Sequence, residues 1–272
     1  MLMVERAEAL LKAANFAYRD LRAFETGSQH HLFRLVGDED GRPYVMKIAR
    51  VGDPFGDAWE PERKHLSGMK AEAQAVSSVR RVAAPGPSRI LSELPPVALM
   101  PHLPGESGQS LWDRRRLDHK GLLDLCYAMG GTLANVHSLK RPADPGDIPD
   151  LPIEDFDPAK ARLLHMDYHL GNVQVVRDRR RGMWEVKGVV DWVLCRWGPR
   201  EADLVEMSIS VFRQIPEARA SFMAGYRRAG GLVFDRAAEQ RFTLHELKRR
   251  LPLAPTPKAR KEWEKWIGEL ER

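Results

Sequence analysis

Two aspartates and an asparagine at a characteristic spacing are the residues of this chain whose chemistry is easiest to interpret. Residues 165–172 read His-Met-Asp-Tyr-His-Leu-Gly-Asn, and Asp191 follows in the sequence Val-Val-Asp-Trp. Phosphoryl transfer requires a carboxylate that orients and deprotonates an attacking hydroxyl, together with oxygen ligands for Mg²⁺. Asp167 could supply the base, and Asn172 and Asp191 could supply the metal ligands. The spacing therefore predicts transfer of a phosphoryl group to a hydroxyl.

The segment between Asn172 and Asp191 predicts a β-hairpin. Residues 173–177 and 183–190 are rich in β-forming residues, and the polar residues 178–182 indicate a turn between them. Two strands that fold back on each other bring the residue before the first close to the residue after the second. The hairpin would thus place Asn172 and Asp191 together, as ligands of one ion must be.

A transition-metal site is a competing interpretation of the same loop. His165, Asp167 and His169 alternate, and side chains two residues apart on a strand share a face. Histidine and carboxylate ligands are typical of zinc sites, so a metal-dependent hydrolase would also use such a cluster. That interpretation leaves Asn172 and Asp191 without a role. An ordinary hydrogen-bonded loop is the third alternative.

The loop has the spacing that protein kinases use, but its neighbours differ. Met166 stands where those enzymes carry arginine, and Asp191 is followed by Trp-Val rather than Phe-Gly. No long segment that could hold a peptide follows Asp191, because residues 197–204 lead directly into a predicted helix. The acceptor is therefore predicted to be a small molecule.

The elements that must position these groups begin with three predicted strands within residues 21–50. Lys47 lies in the third strand among apolar residues, where a charge is costly to bury unless it meets an anion. A lysine at a sheet edge, pointing into water, is the alternative. Gly27 and Ser28 lie at the turn between the first two strands, where a backbone can approach phosphates.

A helix after these strands is predicted to carry the partner of Lys47. Residues 69–75 favour helix, and Glu72 within them is the candidate, with Glu62 as its rival. Residues 97–100 then form a short apolar strand, and residues 101–105 cannot be helical because of their prolines. Further helices are predicted at residues 122–139, 204–212, 217–229, 235–251 and 258–271.

Composition excludes several other classes of protein. The 272 residues suffice for two modest domains, and no stretch is apolar for the thickness of a bilayer, so no membrane association is expected. The balance of 43 basic and 38 acidic residues is mild, and the basic runs at residues 177–181 and 248–250 have neither interleaved aromatic residues nor a nucleic-acid-binding motif, which argues against nucleic-acid binding. Cys126 and Cys195 form no spacing motif, as is typical of the reducing cytoplasm. The oligomeric state cannot be inferred.

The chain resembles the aminoglycoside phosphotransferase and choline-kinase-like family of small-molecule kinases. The resemblance spans residues 20–230 and is strongest in residues 165–172, 189–192 and 198–204. It implies an α+β, protein-kinase-like fold of two lobes. A small β-rich lobe would comprise residues 1–100, a hinge residues 101–105, and a larger, mostly helical lobe residues 106–272.

The same resemblance implies roles for individual residues. Asp167 would be the catalytic base, and Asn172 and Asp191 would bind Mg²⁺. Lys47 would bind the nucleotide phosphates, positioned by Glu72. Within the hinge, the carbonyl of Pro101 and the N–H of Leu103 would bind adenine, and Asp203 would support the catalytic loop.

The predicted function is phosphorylation of a small-molecule hydroxyl by ATP, with GTP as the alternative donor. An aminoglycoside-like antibiotic is the leading acceptor, and an amino alcohol or a sugar is the alternative. A nucleotide-binding pseudokinase without turnover is the competing class. Six acidic residues crowd the irregular segment before the catalytic loop: Asp144, Asp147, Asp150, Glu154, Asp155 and Asp157. A solvated acidic loop is the favoured interpretation of this segment, and attraction of a cationic acceptor is the functional alternative.

Overall fold

The structure is a computed structural model. It describes residues 2–24, 30–50, 61–79, 84, 88–93, 95–154, 156–178, 180 and 182–272. Strands in this part of the chain are β1 (Tyr18–Ala23), β2 (His30–Gly37), β3 (Pro43–Ala49), β4 (Arg89–Glu93), β5 (Pro96–Pro101), β6 (Glu106–Ser107), β7 (Arg162–Leu164), β8 (Val173–Arg177), β9 (Trp184–Val189) and β10 (Arg196–Gly198). Helices are α1 (Leu2–Ala13), α2 (Pro61–Ser78), α3 (Gly108–Asp113), α4 (His119–Val136), α5 (Val205–Met207), α6 (Pro216–Arg228), α7 (Arg236–Arg250) and α8 (Pro257–Leu270).

The N-terminal part of the chain is built on one antiparallel sheet of five strands, in the order β1-β2-β3-β5-β4. Side chains alternate between its two faces. One face carries Phe33, Met46 and Leu99, which pack with Leu11 of α1 in an apolar core. The other face carries Lys47, which is paired across the ladder with Leu32. One face of the sheet is thus covered by an apolar core, and the other faces the C-terminal part of the chain.

The C-terminal part is mainly helical. Its core is centred on α4 and α6, which cross closely, and extends to the antiparallel hairpin of β8 and β9. The short β6 pairs with β8, and β7 pairs with β10 on the other side of the catalytic loop. An antiparallel sheet followed by a helical region confirms the predicted α+β class.

Several elements differ from those expected. Helices α1 and α3 and strand β4 were not predicted from the sequence. Residues 204–212 do not form a regular helix, because a 3₁₀ turn (Arg200–Leu204) leads into the three-residue α5 and then into a π-helical turn (Ser208–Phe212). Serine and β-branched residues in this run are weak helix formers. Within the described ranges, no helix has both the length and the apolar character needed to cross a membrane.

Candidate active site

Three charged residues from distant parts of the chain meet at the inner face of the sheet. Lys47 Nζ lies 2.9 and 3.1 Å from the two carboxylate oxygens of Glu72, and 3.1 Å from Asp191 Oδ1. Glu72 is fully buried, and its Oε1 also accepts a hydrogen bond from the backbone N–H of Trp192 at 3.0 Å. Strand β3, helix α2 and the end of the hairpin are therefore joined through one ammonium group.

The electrostatics of this cluster favour its charged form. Burial alone would lower the pKa of the Lys47 ammonium, but the carboxylates of Asp191 and Glu72 hold it above its ordinary value. Burial would likewise raise the pKa of Asp191, but the charge and hydrogen bond of Lys47 keep it below the usual range. The prediction that Glu72 pairs with Lys47 is thus matched by the structure. The side chain of the rival, Glu62, lies outside the described residues.

Asp167 is held by two neighbours on its own loop. Asn172 Nδ2 donates to the Asp167 backbone oxygen and to Asp167 Oδ2, both at 2.9 Å. His169 Nε2 lies 3.5 Å from Asp167 Oδ1, and His169 Nδ1 accepts the N–H of Gly171 at 2.9 Å, so the ring proton is on Nε2. Burial tends to raise the pKa of Asp167, but His169 holds it below its ordinary value. The carboxylate is therefore ionised at neutral pH, as a base must be.

The loop around Asp167 is fixed from behind by a buried aspartate. Asp203 accepts the backbone N–H of His165 at 2.8 Å and that of Met166 at 2.5 Å, and its Oδ2 lies 3.0 Å from His137 Nε2. His137 Nδ1 lies 2.9 Å from the hydroxyl of Tyr226. The supporting position expected for Asp203 is what the structure shows.

The geometry of the histidines does not favour a zinc site. His165 Nε2 faces the carbonyl of Val190 at 2.9 Å, and its Nδ1 faces the N–H of Asp167 at 3.3 Å, so both ring nitrogens have partners. His169 Nδ1 is taken by the N–H of Gly171. Among the described residues, no group of three or more His, Cys, Asp or Glu side chains is arranged to hold a metal ion.

The hairpin brings Asn172 and Asp191 together as the sequence predicted. Val173 pairs with Val189, and the N–H of Val190 donates to the carbonyl of Asn172 at 2.9 Å. Asp191, directly after the hairpin, has a φ of 66°, which is strained for a residue other than glycine. Met166, beside Asp167, also has a φ of 66°. Such strain gathers at functional sites, where the surrounding structure must stabilise it.

A cleft of about 480 Å³ runs from these residues to the segment after β5. Its lining includes Lys47, Asp167, Asn172 and Asp191 at one end and residues 100–103 at the other. The N–H of His102 donates back to Pro43 of β3 at 2.9 Å. Pro101 and Leu103, on either side of His102, both line this end of the cleft.

The two remaining predicted nucleotide contacts cannot be placed. Gly27 and Ser28 lie outside the described residues. The seven other predicted site residues, by contrast, all border the cleft or contact a residue that does: Lys47, Glu72, Pro101, Leu103, Asp167, Asn172 and Asp191.

A second, larger groove of about 910 Å³ adjoins the cleft. Asp167 and Leu194 line both spaces. The walls of the groove include residues 151–154, Phe156, several of residues 199–206, and helix α7. Among the described carboxylates, Asp167 is therefore the one that borders both spaces.

The sequence model of the phosphotransferase enzyme family matches residues 20–161 and 151–242. The chain belongs to that family. No curated protein matches it significantly in sequence.

Solved structures of other phosphotransferases share the fold of this one. The GDP complex of an aminoglycoside 2'-phosphotransferase-IIIa is similar with a TM-score of 0.64 and 9% identity, covering 98% of each chain. Spectinomycin phosphotransferase in complex with ADP and spectinomycin has a TM-score of 0.55 and 14% identity, covering 97% of this chain and 93% of its own. An ethanolamine kinase from Plasmodium vivax has a TM-score of 0.56 and 9% identity, covering 92% and 81%.

The family match and these similar structures together identify the protein as a small-molecule phosphotransferase. The resemblance drawn from the sequence motifs is thereby confirmed, as are the kinase-like fold and the class of enzyme. Nucleotides are bound in the GDP and ADP complexes of the two antibiotic phosphotransferases.

One residue of this phosphotransferase that borders the cleft was missed by sequence reasoning. His30 is 5% exposed, and its Nε2 has no hydrogen-bond partner in the described part of the chain. Burial and the nearby charge of Lys47 lower its pKa from 6.5 to about 4. A histidine at the start of a strand belongs to no recognisable motif. Its place near Lys47 follows from the strand register, in which His30 pairs with Ala49, two residues beyond Lys47.

Proposed function

We propose that the protein transfers the γ-phosphate of ATP to a hydroxyl group of a small molecule, with Asp167 as the base. One observation carries the proposal. Asp167 is ionised, is held by Asn172 and His169, and borders both the cleft that contains Lys47 and the larger groove. An acceptor in the groove and a nucleotide in the cleft would meet at this carboxylate.

The two ends of the cleft suit the two ends of a nucleotide. Lys47, fixed by Glu72, would bind the phosphates as a positive point charge. At the other end, the carbonyl of Pro101 and the N–H of Leu103 would bind adenine, while the N–H of His102 is engaged by Pro43. The proline does no harm, because only its carbonyl is required. ATP is the proposed donor and GTP the alternative.

Asn172 and Asp191 fit the role of Mg²⁺ ligands. The amide nitrogen of Asn172 is committed to Asp167, which leaves its carbonyl oxygen for a metal. Lys47 contacts Oδ1 of Asp191, and the Asp191 side chain remains 39% exposed. Oxygen ligands of this kind are those that Mg²⁺ prefers. When bound, Mg²⁺ would neutralise phosphate charge during transfer.

The chain itself would perform the proton chemistry. The acceptor hydroxyl would donate a hydrogen bond to Asp167 and lose its proton to that carboxylate as the phosphoryl group is transferred. His169 and Asn172 each hold one of the two Asp167 oxygens, so the carboxylate cannot rotate away from the acceptor. Asp203 fixes the backbone on which Asp167 lies.

We further propose the division into residues 1–100, a hinge at 101–105 and residues 106–272. The sheet ends at Pro101, and the cleft lies between the sheet and the catalytic loop.

A cytoplasmic location remains a prediction from the cysteines. Burial raises the pKa of the Cys126 thiol, and likewise that of Cys195, to about 12, so neither is a reactive thiolate at neutral pH.

An aminoglycoside-like antibiotic is the leading proposal for the acceptor, with an amino alcohol or a sugar as the alternative. Support comes from the acceptors named for the similar structures. The direct test is a screen of aminoglycosides, amino alcohols and sugars for transfer of label from γ-labelled ATP. Transfer to one class is expected. Nucleotide binding without transfer to any acceptor would favour a pseudokinase, and an aminoglycoside product would indicate antibiotic resistance.

The acidic residues proposed to attract a cation differ in their surroundings, and several of them already have other partners. Asp150 is held by Arg141 through contacts of 2.7 and 2.9 Å, Asp157 caps a 3₁₀ turn, and Asp155 lies outside the described residues. Of the five that the structure describes, Glu154 alone borders the groove, and it has no ion-pair partner among the residues described. The proposal of a cationic acceptor therefore depends on Glu154.

A pair of variants with opposite changes of charge tests this. Arg241 borders the same groove and also lacks a carboxylate partner in the part of the chain described. For a cationic acceptor, Glu154→Gln is expected to raise the acceptor KM severalfold at low salt, while Arg241→Gln lowers it or leaves it unchanged. The KM for ATP should stay constant in both variants. An acceptor whose KM rises with Arg241→Gln and not with Glu154→Gln would be anionic, against the proposal.

A further inference from the structure

His30 is a buried polar group that the proposed mechanism does not use. It borders the cleft, is 5% exposed, and leaves Nε2 without a partner among the described residues. A buried polar atom without a hydrogen bond costs about 1–3 kcal/mol. Native structures rarely keep such a group unless something else binds it.

The register of the sheet places His30 near the phosphate end of the cleft. Leu32 of β2 pairs with Lys47 of β3, and His30 is two residues before Leu32 on the same face. The charged groups that act most strongly on the imidazole are Lys47 and Asp191. Residues 100–103, which would bind the base, lie at the opposite end.

The state of the ring suits a donor to an anion. With its pKa lowered to about 4, the imidazole is neutral at physiological pH and carries one N–H. The ring of His65 contacts it edge to face, with centroids 5.3 Å apart. A phosphate oxygen beside Lys47 would complete the hydrogen bonding of Nε2.

We propose that His30 is a phosphate-binding residue, donating its Nε2–H to a phosphate oxygen of the bound nucleotide. The proposal rests on the nucleotide-dependent function proposed above. It adds a second residue of the sheet, besides Lys47, that contacts the nucleotide phosphates. Because the interaction needs a phosphate, it distinguishes ADP and ATP from the nucleoside.

The test compares the binding of ADP and adenosine at fixed Mg²⁺ by calorimetry. His30→Phe fills the volume without a donor, and His30→Gln keeps an N–H. His31→Phe is the matched control, because the neighbouring histidine lies on the other face of β2. We expect His30→Phe to weaken ADP binding roughly 10- to 100-fold, as for loss of a hydrogen bond to a charged group, and adenosine binding less than twofold. His30→Gln should recover part of the loss, and His31→Phe should bind like the wild type.

Equal losses for ADP and adenosine, or no loss for either, would overturn the proposal. A second measurement uses the wild type alone and therefore does not depend on whether a variant folds. The ¹⁵N signal of the His30 ring should shift when ADP saturates the protein and stay in place with adenosine, and an unchanged signal with ADP would also overturn the proposal. A wild type that binds no nucleotide would refute the proposed function as well, whereas catalysis with an insensitive His30 would refute this inference alone.

Discussion

At the scale of single residues, the site depends on groups that touch no substrate. Asp203 is 1% exposed and accepts hydrogen bonds from the backbone N–H groups of His165 and Met166. These hold the turn in which Met166 has a positive φ. The position of Asp167 is therefore set by a carboxylate that lies 36 residues further along the chain.

Replacing Asp203 should affect both stability and turnover. In Asp203→Asn, the amide cannot accept all of the bonds that the carboxylate accepts, so we expect a loss of about 2–4 kcal/mol in the free energy of unfolding. Turnover should fall while the Kd for ADP changes little. Urea unfolding and steady-state kinetics measure the two effects. Asp113→Asn, at an exposed position of α3, is the control and should change stability by less than about 0.5 kcal/mol.

The buried His30 predicts a pH dependence of stability. Its pKa is about 4 in the folded protein and 6.5 ordinarily, so protons bind preferentially to the unfolded chain between these values. The contribution of the neutral ring is complete above pH 6.5 and is lost as the pH falls to 4. Between these limits the loss is roughly 3 kcal/mol.

The measurement compares urea unfolding of the wild type and of His30→Phe between pH 4 and 7.5, without nucleotide. The difference in their free energies of unfolding should change across this window, with the wild type losing more stability towards acid. Parallel pH profiles for the two proteins would show that His30 has an ordinary pKa.

At the scale of elements, the crossing of α4 and α6 supports the loop that carries Asp167. His137, at the C-terminal end of α4, contacts Asp203, and Tyr226 of α6 contacts His137. The two helices approach so closely that a Cβ added at Gly225 would lie 1.9 Å from the carbonyl oxygen of Tyr127. The crossing therefore admits no side chain at this point.

Gly225→Ala should separate the helices and destabilise the protein. We expect a loss of at least about 1–3 kcal/mol, since the clash outweighs the gain in helix propensity. Gly268→Ala is the matched control, because no atom lies within 4 Å of the added Cβ in α8. It should be neutral or stabilising by up to about 1 kcal/mol. Thermal unfolding of both variants tests this, and similar stabilities for the two would contradict the packing argument.

Local patterns explain which elements could be predicted. The β8–β9 hairpin has β-forming residues on both sides of a polar turn, and Lys47 lies in an apolar strand, so both could be found from a short window of sequence. Strand β4 is only five residues long and has mixed character, and α1 buries only a narrow stripe that includes Ala7 and Leu11. Helix α1 forms because the sheet offers an apolar face to pack against, and β4 forms because it can pair with β5 at the edge of the sheet.

Long-range arrangement explains what could not be predicted at the site. The larger groove is lined by residues 151–154 with Phe156, by residues from 199–206 and by helix α7, and no local sequence pattern indicates that these three segments meet. The same applies to Asp150, whose bond to Arg141 removes it from the set of free carboxylates. The charge of the groove therefore could not be predicted from the number of acidic residues in the segment before the catalytic loop.

At the scale of the whole molecule, the site lies where the sheet meets the helical region. Lys47 belongs to the sheet, Asp191 follows the hairpin, and their contact of 3.1 Å joins the two. A nucleotide in the cleft would contact both regions and would bind only the folded protein. It should therefore stabilise the molecule as a unit.

MgATP should raise the melting temperature. At a concentration of one hundred times its Kd, a ligand of the folded state adds about 2.7 kcal/mol to the free energy of unfolding. For a chain of this size, that corresponds to an increase of about 5–10 °C. Differential scanning fluorimetry is the measurement. Mg²⁺ or Zn²⁺ alone should have little effect, and Asp191→Ala should reduce the response to MgATP. A large shift with Zn²⁺ and none with MgATP would restore the metal-hydrolase interpretation.

The central claim is that Asp167 acts as the base in phosphoryl transfer. Asp167→Asn keeps the size of the side chain and much of its hydrogen bonding but removes the basic carboxylate. The most direct measurement is transfer of label from γ-labelled ATP to the acceptor found in the screen, by wild type and variant at saturating MgATP. We predict that the variant binds MgATP with nearly unchanged Kd, while its turnover falls at least about 100-fold. Turnover equal to that of the wild type would contradict the claim.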